Sequence, residues 1–182
     1  MNRLASPAQL RASLLRWIVV CVPLVLLLGF LSGQVAGNGG AWYAMLDKPA
    51  ITPPGWVFPI AWTLFYILQG VALALVLNAS GADNRELPLA LFSVQLTLNL
   101  AWSPIFFGWH QVGAAVWVVV AMVVFATATT VAFGRIRPLA GWLMVPYLAW
   151  LVFAGVLNWS VDRMNPDAHI LVPGTARTTL GG

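Results

Sequence analysis

The sequence predicts an all-α integral membrane protein, built as a bundle of five transmembrane helices. Of the 182 residues, 60% are hydrophobic and 8% are charged, whereas charged residues make up roughly a quarter of a soluble domain. Apolar runs of about twenty residues, the length that crosses a bilayer as a helix, recur along the chain. The strand alternation of an outer-membrane barrel is absent. We therefore expect any chemistry to take place in or beside the membrane.

The first apolar run extends from Trp17 to Leu31 and follows a basic N-terminal extension, residues 1–16. A basic start and an apolar middle are also typical of a cleaved signal peptide. Cleavage after Ala36 would, however, place Gln34 at the −3 position, where a small residue is preferred. We therefore favour a first transmembrane helix and keep the signal peptide as the alternative.

Residues 34–56 form a long loop that contains Trp42, Pro49, Pro53 and Pro54. Consecutive prolines favour a stiff, extended backbone. A long aromatic loop between membrane helices is predicted to pack as a lid, since long structureless loops are uncommon in compact domains.

Four further apolar runs complete the membrane domain, residues 17–163, and a polar tail follows at residues 164–182. The connections between these runs are short, so we expect antiparallel neighbours. An odd helix count without an internal repeat argues against a transporter built from repeats. The predicted helices are Val57–Asn78, Leu87 or Pro88 to Trp109, Ala114–Phe133 and Leu139–Val161.

The net charge of +4 lies in connections and tails, so it bears on membrane orientation and not on nucleic-acid binding. Cytoplasmic segments carry an excess of Lys and Arg. With the N-terminus inside, the inner segments would hold six such residues and the outer ones three. This predicts an inner N-terminus and an outer C-terminus. The inner set is Arg3, Arg11, Arg16, Arg85, Arg135 and Arg137, and the outer set is Lys48, Arg163 and Arg177.

Polar and aromatic side chains share one face on three of the predicted helices. Buried amides are costly unless they meet a partner, a cavity or a ligand. We predict that these faces line a ligand cavity beneath the loop, with helix-to-helix packing as the alternative. Gln95, which lies deeper, is expected to bridge helices. The predicted ligand-binding residues are Trp62, Tyr66, Asn99, Trp102, Tyr147, Trp150, Ala154 and Leu157.

Several kinds of site are absent from the sequence. The five acidic residues lie in loops, helix ends or the tail, so the intramembrane carboxylate relay of a proton-coupled pump is not expected. His110 and His169 are far apart in the sequence, and Cys21 is the only cysteine. We therefore predict no metal site, no paired axial haem ligands and no disulfide.

The chain resembles the TspO/MBR family of tryptophan-rich sensory proteins and mitochondrial translocator proteins. The resemblance covers about Trp42–Asn165. It rests on W-Y…L-D-K-P (42–49), P-P-G-W-V-F-P (53–59), A-W-T-L-F-Y (61–66), Q-L-T-L-N-L-A-W-S-P-I-F-F-G (95–108) and P-Y-L-A-W-L-V-F-A-G-V-L-N-W (146–159).

The resemblance implies a five-helix bundle that often forms a homodimer and binds protoporphyrin or haem as a ligand, without a required cofactor. Sterols and benzodiazepine-type ligands bind some members, and lipid is a further expected partner. The family's pocket residues match Trp62, Trp150, Asn99 and Trp102. Some bacterial members degrade porphyrin in light, a role tied to the positions of Trp62 and Trp150. The alternatives to a porphyrin-binding protein are thus a light-dependent porphyrin-degrading enzyme and a structural partner of other membrane proteins.

Two positions depart from the family pattern. Ile51 stands where many members have Trp in the loop, which predicts the loss of one aromatic lid contact. In the segment associated with sterols, Leu157 to Arg163, Trp159 stands where Tyr is usual. Because such sterol patterns are weak indicators, we do not expect sterol binding through this segment.

Overall fold

The structure is a computed structural model that describes residues 7–37, 40–79, 82 and 84–171. Within these ranges the secondary structure is entirely helical. A π-helical turn, Pro104–Gly108, continues α4, and a 3-10 turn, Ala168–Ile170, follows α6. The α-helices are α1 Pro7–Ala36, α2 Gly40–Met45, α3 Val57–Asn78, α4 Glu86–Ser103, α5 Val112–Ile136 and α6 Pro138–Met164.

Five of these helices are long and apolar enough to cross a membrane: α1, α3, α4 with its π-helical turn, α5 and α6. Large apolar side chains such as Val19, Trp117 and Trp142 are more than two-thirds exposed on their surfaces. Lipid tolerates such surfaces, and a helix satisfies its own backbone hydrogen bonds. The predicted all-α, five-span fold is confirmed.

The five spans form a closed ring in the order α1, α3, α6, α5, α4, with α4 returning to α1. α5 and α6 are joined through Arg137 alone, and Trp109–Gln111 join the π-helical turn to α5, so sequential helices run antiparallel. We call the end of the ring that carries α2 and residues 46–56 the loop end. The other end is the opposite end.

α1 begins and ends at different residues from those predicted. It begins at Pro7, because the segment PAQLRASLLR is rich in good helix formers and proline suits the first helical position. It passes through Gly33 and ends before Gly37, which has a φ of +64°, a conformation that favours glycine after a helix. Residues 1–6 of the predicted extension and 172–182 of the predicted tail lie outside the described residues.

α4 changes to the wider π-helical turn at Pro104. Proline has no N–H to donate to a regular helix. The Trp109 N–H donates to the Pro104 carbonyl at 2.9 Å, and the Gln111 N–H donates to the Ile105 carbonyl at 3.0 Å. The side chains that follow Pro104 therefore depart from the positions that a continued α-helix would give them.

Candidate functional site

A cavity of about 630 Å³ lies inside the ring at its loop end. All five spans, the π-helical turn, α2 and the loop that follows α2 contribute to its wall. Small residues such as Gly33, Ala36 and Ala154 leave the space that larger side chains would fill. The aromatic lining residues are Tyr43, Phe58, Trp62, Trp102, Phe106, Phe107 and Trp150.

The structure brings together five of the eight predicted ligand-binding residues. Trp62, Trp102, Trp150, Ala154 and Leu157 line the cavity, from α3, α4 and α6. These are the three spans on which the sequence placed them.

The expectation that all eight residues share the cavity wall is corrected for Tyr66, Asn99 and Tyr147. They lie about one helical turn deeper than the tryptophans on the same helices and are not among the lining residues. Asn99 is 4% exposed, and Tyr147 is fully buried.

A chain of side-chain hydrogen bonds, which we call the polar chain, explains this placement. The Tyr66 hydroxyl donates to Asn99 Oδ1 at 2.8 Å, and Asn99 Nδ2 donates to the Tyr147 oxygen at 3.0 Å. The Tyr147 hydroxyl donates to Gln95 Oε1 at 3.0 Å, and Gln95 Nε2 donates to Gln69 Oε1 at 2.9 Å. The predicted helix bridge at Gln95 is thus confirmed. Buried amides need such partners, and here they find them across α3, α4 and α6.

Two buried donors have no partner within the described part of the chain: Gln69 Nε2 and Trp150 Nε1. Gln69 ends the polar chain. Trp150 lines the cavity, but its Nε1 is itself buried and does not face the open space. An unpaired buried donor costs about 1–3 kcal/mol.

The polar chain also supports the aromatic wall above it. Trp62 stacks on Tyr66, with ring centroids 5.7 Å apart. The Phe65 ring contacts both Trp62 and Trp150. Its centroid lies 5.6 Å from that of Trp150 and 6.4 Å from that of Trp62. The hydrogen bond from Tyr66 therefore helps to fix the ring of Trp62.

Trp102 is fixed by contacts with two other elements. Its Nε1 donates to Asn158 Oδ1 at 2.9 Å, and Asn158 Nδ2 donates to the Val112 carbonyl at 3.1 Å. Its ring stacks on Phe106 at 5.0 Å. Phe106 and Phe107 were missed as lining residues because their positions depend on the π-helical turn, and Pro104 was the only signal for it.

The loop packs over the loop end of the ring, held by four residues that we call the loop latch: Trp42, Asp47, Asn165 and Ala168. Trp42 Nε1 donates to the Ala168 carbonyl at 2.8 Å, and the indole stacks on His110 at 4.2 Å. The Asp47 N–H donates to Asn165 Oδ1 at 2.8 Å, while Asn165 Nδ2 donates to the Asp47 carbonyl at 2.9 Å.

The predicted lid residues therefore have different positions. Pro53 lines the cavity, whereas Trp42, Pro49 and Pro54 do not. Trp42 is only 2% exposed, because it packs into a second apolar cluster that shares Phe106 and Val161 with the cavity wall. It is placed as an anchor for the loop.

Lys48 supplies a cation to the cavity lining. Its Nζ lies 4.5 Å from the centroid of the Tyr43 ring and donates to the Leu46 carbonyl at 3.0 Å. Burial raises the pKa of Tyr43, so this phenol is neutral near pH 7. Among the described residues, no group of three or more His, Cys, Asp or Glu side chains could hold a metal ion.

The family model described as the TspO/MBR family matches residues 20–164. The chain belongs to the TspO/MBR family. It is accordingly an integral, multi-pass membrane protein, and the resemblance drawn from its motifs is confirmed.

Three relatives, from two bacteria and a mammal, are similar to this TspO/MBR protein over most of their length. It is 38% identical over 151 residues to the tryptophan-rich protein TspO of Chlorobaculum tepidum, covering 82% of this chain and 96% of that protein. It is 43% identical over 143 residues to the translocator protein of Sus scrofa, covering 75% and 83%. It is 41% identical over 131 residues to the tryptophan-rich sensory protein of Cereibacter sphaeroides, covering 70% and 81%.

The family match contains every cavity-lining residue of this TspO/MBR protein and ends at the edge of the loop latch. Asn165 and Ala168, which hold the loop, follow the matched segment. Ile51, the departure in the loop, is 52% exposed and does not line the cavity, whereas the following residues, Thr52 and Pro53, do.

Proposed function

We propose that this TspO/MBR protein binds tetrapyrroles such as protoporphyrin and haem in the cavity, for porphyrin sensing, transport or regulation. The observation that carries the proposal is a wall in which Trp62, Trp102 and Trp150, from three helices, surround one space of about 630 Å³. That volume lies within the roughly 300–1,000 Å³ of small-molecule sites. Indole rings stack on flat aromatic ligands.

Few polar groups are available to orient such a ligand. Lys48 complements a carboxylate side chain of a tetrapyrrole. Ala154 and Leu157 supply small and apolar wall on α6. We therefore assign direct contact to the lining residues and a supporting role to Tyr66, Asn99 and Tyr147.

A titration of the purified protein with protoporphyrin and with haem, in the dark and followed by pigment absorbance, tests this proposal. We expect Trp102→Ala to weaken binding by about tenfold or more, because a stacking face is lost. Trp117→Ala is the matched control, since Trp117 is 74% exposed on the membrane-facing surface. Asn99→Leu should weaken binding less than Trp102→Ala, because Asn99 acts through the polar chain.

Unchanged affinity in both Trp102→Ala and Trp62→Ala would reject the cavity as the site. Purification of the protein without pigment, together with no saturable binding, would instead favour a structural partner of other membrane proteins.

A second candidate function is light-dependent degradation of porphyrin. It is supported by the position of Trp62 and Trp150, both on the wall of the one cavity. Illumination of the porphyrin complex should bleach its absorbance, and Trp62→Phe or Trp150→Phe should slow this without abolishing dark binding. Bleaching no faster than in detergent alone would reject the activity.

We also propose an inner N-terminus, from the distribution of Lys and Arg, and a homodimer, from the family resemblance. Accessibility of a single cysteine introduced at Asn84 or in the loop, in a Cys21→Ser background and tested from each side of sealed vesicles, would establish the orientation. Cross-linking in the membrane would establish the dimer.

A further inference from the structure

A groove of about 390 Å³ lies on the outer surface of the ring, between α5 and α6. It runs along the half of these helices that also encloses the cavity. All its lining residues are apolar, and four of its valines are roughly half exposed. The lining residues are Val116, Val119, Val120, Val123, Val124, Leu151, Val152, Gly155, Val156 and Trp159. In a membrane-spanning protein, such a groove faces the hydrocarbon of the bilayer.

The groove and the cavity are separated by a thin partition. Val119 and Leu151 line both spaces, so each of these side chains faces the cavity on one side and the groove on the other. Both are almost fully buried, at 3% and 1% exposed. A Cβ added at Gly155 would lie 3.1 Å from Val119 Cγ1, which shows how closely the two helices approach at the partition.

The seam between α5 and α6 is held on both sides of the partition. Toward the opposite end, a Cβ at Gly141 would lie 2.8 Å from Gly134 Cα, so the two backbones are in contact there. Toward the loop end, Asn158 Nδ2 donates to the Val112 carbonyl at 3.1 Å. With the helices held in this way, the side chains of the partition are the part that can move, since side chains switch among staggered rotamers.

A cation lies beyond the end of the groove nearest the loop end. Arg163 is exposed and follows Trp159 by one turn of α6, about 6 Å along the helix. Its guanidinium carbon lies 5.9 Å from the centroid of the Trp159 ring. Tryptophan is enriched at the membrane interface, and arginine binds phosphate through paired N–H donors. An apolar slot that ends at an interfacial arginine matches the chemistry of a phospholipid.

A second copy of the chain fits this surface less well. A two-fold interface places the same patch of both subunits face to face. Two concave valine grooves would then face each other and leave the space between them empty. A flexible chain that enters the groove from the bilayer fills it.

We propose that the α5–α6 groove binds one acyl chain of a membrane phospholipid, with the phosphate held at Arg163 and the chain lying against the Val119–Leu151 partition. This site does not depend on tetrapyrrole binding. A bound lipid can change the volume of the cavity through the partition. A chain end that displaces Val119 or Leu151 enters the space where the proposed ligand lies.

The test uses the full-length protein in nanodiscs of phosphatidylcholine with a diazirine near the end of one acyl chain, without porphyrin. After illumination, mass spectrometry locates the labelled residues. Because the phosphate is at Arg163, the chain end lies at the far end of the groove, and we expect labelling to concentrate there, on Val123, Val124 and Val152. Val156→Trp should reduce it about tenfold, because several methylene contacts are lost. Val131→Trp is the matched control, since Val131 and Val156 are 51% and 49% exposed and Val131 lies outside the groove.

Two further variants test the headgroup and the partition. Arg163→Gln should reduce groove labelling by severalfold, while Lys48→Gln should not change it. Leu151→Ala should move part of the label to the cavity side, at Trp150 and Ala154, with the protein still folded by circular dichroism. Uniform labelling of all membrane-facing helices, or labelling that Val156→Trp leaves unchanged, would overturn the proposal. Stronger labelling by a diazirine sterol than by the phospholipid would also overturn it. Porphyrin affinity, titrated separately, reports on the cavity alone.

Discussion

At the loop end of the ring the five spans enclose a cavity, whereas at the opposite end the same helices pack directly on one another. Phe92 and Phe133 stack there with centroids 5.5 Å apart, and Gly134 and Gly141 bring the backbones of α5 and α6 into contact. The loop end has the larger side chains, including three cavity tryptophans, yet it holds the empty space. Side-chain size alone therefore does not decide where the cavity forms.

Backbone geometry and hydrogen bonding account for the difference. At the loop end the π-helical turn after Pro104 displaces Phe106 and Phe107, and the loop spans the mouth of the ring without filling it. Trp102 is bonded to Asn158 at the wall, which keeps its ring from collapsing inward. Between the two ends lies the polar chain, which closes the base of the cavity.

The largest effect is expected where the opposite end is packed most closely. Gly141→Ala places a Cβ 2.8 Å from Gly134 Cα and 3.0 Å from the Thr130 carbonyl, which are backbone atoms that cannot rotate away. We expect a loss of about 2–3 kcal/mol in the free energy of unfolding, typical of overpacking. Thermal unfolding in detergent, monitored by circular dichroism, measures this.

Two other glycines serve as controls from the cavity half. Gly155→Ala meets only a rotatable Val119 methyl at 3.1 Å, and Gly33→Ala meets nothing within 4 Å. Gly33→Ala should be neutral or stabilising by up to about 1 kcal/mol, because alanine favours the helix. Equal losses in all three variants would contradict the contrast between the two halves.

The next largest effect is expected in the polar chain. Gln95→Leu leaves Gln69 Oε1 and the Tyr147 hydroxyl without their partner, and an unpaired buried group costs about 1–3 kcal/mol. The double variant Gln69→Leu/Gln95→Leu removes both amides and should recover part of that loss. A double-mutant cycle on unfolding free energies gives the coupling directly. Additive losses would mean that the two amides do not support each other.

Much of this arrangement could be predicted from the sequence. Apolar runs gave the five spans, and the 3.6-residue period placed Trp62, Trp102 and Trp150 on faces that turn inward together. The depth of a residue along its helix, estimated from the sequence, could not distinguish residues that line the cavity from residues that are buried beneath it. Asn99 and Trp102 lie on one face, but one turn along the helix separates a residue bonded inside the polar chain from one that lines the cavity.

Other features depended on contacts that no local pattern encodes. Trp42 looked like a lid residue, yet its indole bonds to Ala168, 126 positions away. The first apolar run ends at Leu31, before Gly33, yet α1 continues to Ala36, because packing in a bundle overrides the weak helix propensity of glycine. The groove between α5 and α6 depends on the relative positions of the two helices, so the sequence of neither helix alone could predict it.

A smaller effect is expected from the loop latch, which separates the cavity from the aqueous side. Asn165→Ala removes the two hydrogen bonds to Asp47 and one to the Val161 carbonyl. We expect a loss of about 1 kcal/mol and faster amide exchange in residues 40–56, with little change in the spans. Ser160→Ala, which removes an exposed bond within α6, is the control. Unchanged exchange in the loop of Asn165→Ala would show that Trp42 alone holds it.

The smallest effect is expected at Ile51, where the loop departs from the family pattern. Its side chain is 52% exposed, so Ile51→Trp should change the free energy of unfolding by no more than about 0.5 kcal/mol. Protoporphyrin affinity should rise by less than about threefold, because one partly exposed ring gives less than 1 kcal/mol of stacking. Ile60→Trp, at a 60% exposed position on α3, is the matched control. A gain above tenfold at position 51 alone would mean that this part of the loop belongs to the cavity wall. The loop end would then close around its ligand instead of holding a preformed space.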